Sequence, residues 1–295
     1  MANIVSHLVS VTGSPEAVRR FRERMIPGGK AATFEFDALI PMPAVLLDAE
    51  GSSTASEGLI LLGADHLPDP LMSTSTVGEQ AARMLDYPWV REAGVTDRAG
   101  LEVLLKQRAK RDGGVEKRLA LGSNAIAAFE ATGHVTAGSW AIEHWGCDGV
   151  RDFDLTRDDP SLLEFSLGTA WATPERVWDR IAETFPDVAV SVLGFEDAWH
   201  FAVAGEIAGG RNGVHEVEPT PELYERIYGQ PYVEEEEAGE AEPVGEAAAV
   251  AESLQRSAIA RERSARFTKR LEAVNWDLVG WVLAAFVALG YFVFW

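Results

Sequence analysis

The run at residues 278–295 constrains this chain most, because none of its side chains carries a charge. As a helix rising 1.5 Å per residue it would be roughly 27 Å long, against a hydrocarbon core of about 30 Å. Trp276 and Asp277 would then lie at the near interface, with Tyr291 and Trp295 as aromatic anchors at the far one. A helix packed in a soluble protein keeps a polar stripe on one face, and residues 278–290 offer none. The run is therefore expected to be a transmembrane anchor. Arg256, Arg261, Arg263, Arg266, Lys269 and Arg270 precede it, and positive charge holds that side of a span in the cytoplasm. The opening Met1-Ala-Asn-Ile-Val-Ser-His has neither the basic start nor the apolar core of a signal peptide. Within the span, Gly280, Ala284 and Ala288 recur every four residues, the small-residue spacing that lets two membrane helices approach and form a homodimer.

The charge balance narrows the partners. A formal net charge of -20 disfavours direct binding to nucleic-acid phosphates, which requires lysine and arginine to displace counterions. It also disfavours adsorption on anionic lipid, except through the local basic flank. A single cysteine, Cys147, excludes an intrachain disulfide. With 295 residues the chain can hold one sizeable domain with appendages, or two small ones.

Upstream, residues 3–12 alternate as a buried strand, and Gly13 stops it. Ser14 caps a helix whose first turn holds Pro15 and Glu16, with Val18, Phe21 and Met25 on one face. Residues 33–40 read as a second strand, ended by Pro41-Met-Pro43. The same grammar returns later: a strand at 162–167, a helix opened by Thr173-Pro-Glu with Val177, Trp178, Ile181 and Phe185 on its apolar face, and a strand at 188–193. A further strand at 199–207 should pair with it as a hairpin. The near match of Ser14-Pro-Glu-Ala-Val18 to Thr173-Pro-Glu-Arg-Val177 suggests an internal repeat of a strand-helix-strand (βαβ) unit. Two such units plus the last strand predict an α+β fold, a ferredoxin-like sandwich.

Three stretches carry a family resemblance: Phe34-Glu-Phe-Asp-Ala-Leu-Ile-Pro-Met-Pro43, Trp140-Ala-Ile-Glu-His-Trp-Gly146 and Thr169-Ala-Trp-Ala-Thr-Pro174. In these the chain resembles the YubB ferredoxin-like domain family, small proteins of bacterial plasmids and phages. Cys147-Asp-Gly stands where that family tends to carry Thr-Lys-Trp. The resemblance implies the sandwich fold and a mobile-element origin, hence a bacterial inner membrane for the single-pass anchor; it brings no established activity.

The expected organisation is the first half of the sandwich at 1–45, a mostly helical insertion at 46–137, and the second half at 138–217. An acidic flexible linker (218–245), a charged juxtamembrane helix (246–277) and the anchor (278–295) follow. Within the insertion, 51–70 reads as loop and 77–92, 97–111 and 115–131 as helices, while 221–228 makes one short helix before the linker.

Candidate site residues gather between Trp140 and Asp148. Glu143, His144 and Cys147 crowd one turn beside Trp145 and Gly146, and the resemblance adds Trp171. A Cys/His nucleophile is conceivable there. Zinc wants three or four protein ligands, and no second ligand pair has matching spacing, so neither metal nor cofactor is expected. The blander reading packs both tryptophans in the core and ties Glu143 to backbone donors. His200 and Glu206 share a strand parity that reads as a solvated face, and Lys106, Arg108, Lys110, Arg111, Lys117 and Arg118 as a solvated helix end. The function expected is a membrane-anchored binding module with a protein partner. The alternatives are an enzyme using the 140–148 loop with Glu143, His144 and Cys147, and an acidic mimic of nucleic acid.

Overall fold

The computed structural model describes residues 3–28, 32–111 and 114–232. Its centre is strand β1 (Ile4–Gly13), whose odd positions Val5, Val9 and Val11 are fully buried. Ser14 then accepts a hydrogen bond from the Ala17 amide, and α1 (Pro15–Met25) begins with proline where a missing donor costs nothing. Its Val18, Phe21 and Met25 all enter the core.

The chain next leaves the sheet for more than a hundred residues. It winds through α2 (Ser53–Leu62), α3 (Val77–Met84), α4 (Pro88–Glu92), α5 (Arg98–Arg111), α6 (Val115–Thr132) and α7 (Ala137–Trp145). It returns as β2 (Val150–Asp159) and β3 (Leu162–Ala170), crosses in α8 (Glu175–Thr184), and runs back as β4 (Val188–Glu196) and β5 (Ala202–Ala208). Short strands β6 (Arg211–Asn212) and β7 (His215–Val217) and helix α9 (Pro221–Tyr228) follow. The strands form one seven-stranded sheet in the order β2-β3-β1-β4-β5-β6, with β7 also on β5. Every pairing is antiparallel, with Val9 opposite Phe165 on one side and Val192 on the other.

The expected ferredoxin-like sandwich of two βαβ units is therefore corrected to an α+β fold on one seven-stranded antiparallel sheet. The first unit fails at 33–40, which is not a strand. Phe34 and Phe36 do point the same way, but into the core, and residues Phe36–Ala38 make a single 3-10 turn held by the Asp37 carboxylate accepting from the Met42 amide. Pro41 and Pro43 remove donors that a ladder would need. The strand beside β3 is instead β2, an edge strand whose polar, exposed residues such as Arg151, Arg157 and Asp158 hide it from any apolar pattern. The expected anchor at 278–295, the helix before it, and Gly280, Ala284 and Ala288 lie outside the described residues. Among the described residues no helix is long and apolar enough to cross a membrane.

One sheet face packs on α1 and α8 around Phe21, Phe34, Phe165 and Trp178. On the other, α9 covers Leu8, Leu193 and Phe195 with Ile227, Tyr224 and Tyr228. Helices α2, α3, α5 and α6 enclose a core of their own, including Leu59, Ile60, Leu101, Leu105 and Ala125. There α2 and α6 touch backbone to backbone: a Cβ on Gly58 would lie 1.9 Å from the Arg118 carbonyl oxygen, so only glycine permits the crossing.

Candidate functional site

The segment expected to be a loop at 140–148 is mostly helix. Thr136 caps α7 by accepting from the Ser139 amide, and Gly146 closes it at φ 93°. That glycine also permits a close approach, since a Cβ there would sit 2.9 Å from the Thr173 carbonyl oxygen and the Glu175 amide. The end of α7 is thereby seated on the turn that opens α8. Trp145 faces inward and donates its indole N–H to the Ile40 carbonyl at 2.9 Å, edge-on to Phe36. Residues 34–43 and 140–146, far apart in sequence, thus meet at one seam.

Trp140 is 5% exposed and packs with Leu46, Ala49 and Ala128. His144 lies flat on it, with ring centroids 4.3 Å apart and 6° between planes, and bonds its Nδ1 to the Trp140 carbonyl at 3.0 Å. A carbonyl only accepts, so Nδ1 carries the proton and Nε2 keeps its lone pair. Sequence reasoning missed His134, which the short α6–α7 connection brings within 3.4 Å of the Glu143 carboxylate. His134, Glu143 and His144 each offer a ligand atom within 4.8 Å of the others. No adjacency reveals this trio; the available signal was a histidine just ahead of the Thr136 cap.

Cys147 belongs to the main core instead. It is 1% exposed, and burial pushes its thiol up to about 12. A thiol so protonated at neutral pH is a poor nucleophile, and the pairing of Cys147 with His144 does not form a reactive dyad. Asp148 turns to pair with Arg151.

Trp171 follows the last residue of β3 and shares a left-handed backbone with Trp199 (φ 65°), but unlike Trp199 it is largely exposed. Its φ is 68°, a left-handed conformation that costs a bulky residue free energy, yet its side chain is among the exposed large apolar groups, at 59%. The backbone there is pinned: the Trp171 amide donates to the Asn3 carbonyl and the Ala172 amide to the Ala170 carbonyl. Two residues on, Thr173 does not cap α8 as Ser14 caps α1. Its hydroxyl accepts from the Trp178 indole at 3.2 Å and meets His7 Nε2 at 3.2 Å, while His7 Nδ1 donates to the Leu167 carbonyl. Burial depresses the His7 imidazole from 6.5 to about 4, so it is neutral and accepts the Thr173 proton.

The remaining candidates scatter. His200 sits in the β4–β5 turn, its Nδ1 3.3 Å from the buried Glu196 carboxylate, and Glu206 is on β5. Arg118 is structural, paired with Glu57 in the α2–α6 contact, and Arg108 lies 4.6 Å over the Trp89 ring. Lys106, Lys110, Arg111 and Lys117 are exposed.

No family model matches the chain, and no curated protein does. It is similar to a solved structure, the protein api92 from Yersinia pseudotuberculosis under the family model DUF1281. The identity is 14%, over 75% of this chain and 100% of that one, with a TM-score of 0.36. A likeness so distant carries no argument about function.

Proposed function

We propose that the chain is a binding module, tethered to a bacterial inner membrane by residues 278–295 and engaging a protein partner through the surface around Trp171. One observation carries the reading. A tryptophan held at φ 68° and left 59% exposed is unfavourable on both counts within the isolated chain, and a partner that buries the indole would offset both. Large aromatic side chains are also the groups most enriched at the centres of interfaces. The uncharged 278–295 run and its arginine-rich approach support the tether. Against the enzyme reading stands the buried, protonated Cys147.

The test is a Trp171→Gly variant of the full, detergent-solubilised chain. Relief of the left-handed strain should leave the fold intact or stabilise it by about 1 kcal/mol. Proteins cross-linked to the wild type in host membranes should disappear from the variant. Unchanged cross-linking by a folded variant would refute the assignment of this surface. A partner affinity falling steeply with salt would favour the acidic mimic of nucleic acid instead.

A further inference from the structure

We propose that His134, Glu143 and His144 bind a divalent first-row transition metal, zinc above all, at a site open on one side. The donor set is the first argument. Two imidazoles and one carboxylate, each with a ligand atom within 4.8 Å of the others, match the three-ligand pattern of zinc sites that keep a free position. Two ligands at roughly 2.1 Å from a tetrahedral ion stand about 3.4 Å apart, and the His134 Nε2 to Glu143 Oε2 separation is 3.4 Å.

The second argument is preorganisation. His144 is held by its neighbours: Trp140 supplies a stacking face and a carbonyl that fixes the proton on Nδ1, leaving Nε2 for a metal. His134 is held as well. Its side chain is 13% exposed, and its amide donates to the Thr132 hydroxyl, which in turn donates to the Ala128 carbonyl at 2.7 Å. Glu143, 70% exposed, is the one member free to swing and close on an ion. The exposure of Glu143 opens the site to solvent on that side, where water or a group from a partner would complete the shell. Two nitrogen donors select zinc, cobalt, nickel or copper over magnesium and calcium, which prefer all-oxygen shells.

The experiment uses the full chain in detergent, stripped with chelator and titrated with Co2+ while the visible d–d bands are recorded. One ion per chain should bind with tetrahedral or five-coordinate bands that Zn2+ abolishes and excess Mg2+ leaves unchanged. His134→Ala and Glu143→Gln should each weaken binding by more than the roughly 10–100-fold typical of outer-shell changes, with unaltered circular dichroism. Affinity should also fall on acidification, because protons compete with the metal for the ligand atoms. His144→Ala removes a stacked ring, so the two other variants decide the matter if it unfolds. Absent bands, or equal affinity in the folded His134→Ala and Glu143→Gln variants, would overturn the site and leave the His134–Glu143 contact as an ion pair alone.

Discussion

Acidification should destabilise this protein through one side chain, His7. Its imidazole is wholly buried between the Leu167 carbonyl and the Thr173 hydroxyl, and burial lowers it from 6.5 to about 4. In the unfolded chain it protonates near 6.5, so between pH 6.5 and 4 the unfolded state binds the extra proton and the folded state refuses it. Stability from this group is therefore complete at neutral pH and is lost as pH falls through that window. At about 1.36 kcal/mol per unit, the full separation amounts to about 3.4 kcal/mol, of which about 2 kcal/mol is gone by pH 5. Urea unfolding of the wild type and of His7→Gln at pH 7, 6 and 5 isolates the effect. The many carboxylates, including Asp152 and Asp197, whose burial raises them and acts in the opposite sense, are common to both proteins. The wild type should lose about 2 kcal/mol more than the variant between pH 7 and 5. Should His7→Gln prove too unstable to measure, the imidazole proton shifts of the wild type report the same titration directly. Parallel pH profiles, or an imidazole titrating near 6.5 in the folded state, would refute the reasoning.

The same glycine-to-alanine change should act with opposite sign on two helices. Gly58→Ala must force α2 off the Arg118 carbonyl and cost about 3 kcal/mol, whereas Gly138→Ala in α7 meets nothing within 4 Å and should add up to about 1 kcal/mol; thermal melts of the pair decide. Glu57→Ala removes a charge-assisted hydrogen bond from the Arg118 guanidinium, whose side chain is 10% exposed, and should cost about 2 kcal/mol in urea titration. Cys147 should resist alkylation at pH 8 in the folded protein and react fully in denaturant, as mass spectrometry would record.

Where one apolar pattern answered to one environment, residues alone foretold the structure. The alternation of β1, the Ser14 cap, the faces of α1 and α8, the β4–β5 hairpin and helices α5, α6 and α9 all read directly. Elsewhere side-chain chemistry served a different partner. The 77–92 pattern splits into α3 and α4 because Pro88 cannot continue a helix. Helix α2 escaped notice because its first two turns carry Ser53, Thr54, Ser56 and Gly58, a loop-like composition in which the glycine is what lets α2 touch α6. Thr173 has the look of a cap, but its hydroxyl is spent on His7 and Trp178, and Pro174 occupies the cap position without a side-chain bond. At the candidate site Trp140, Glu143, His144, Trp145 and Gly146 were visible as a cluster. His134 was not, since its approach depends on how α6 ends and α7 begins.

The position of β1 has a consequence for biogenesis. This central strand finds both neighbours in β3 and β4, which the ribosome delivers later: Val9 pairs with Phe165 and with Val192, about 160 and 180 residues on. At roughly 5–20 residues per second its valine-rich edges wait on the order of ten to thirty seconds without a ladder partner, while the helices of the insertion can already close their own core. During that interval a nascent chain of this design is open to ribosome-associated chaperones or to a wrong strand, and the yield of correctly folded protein should depend on how quickly translation reaches β4.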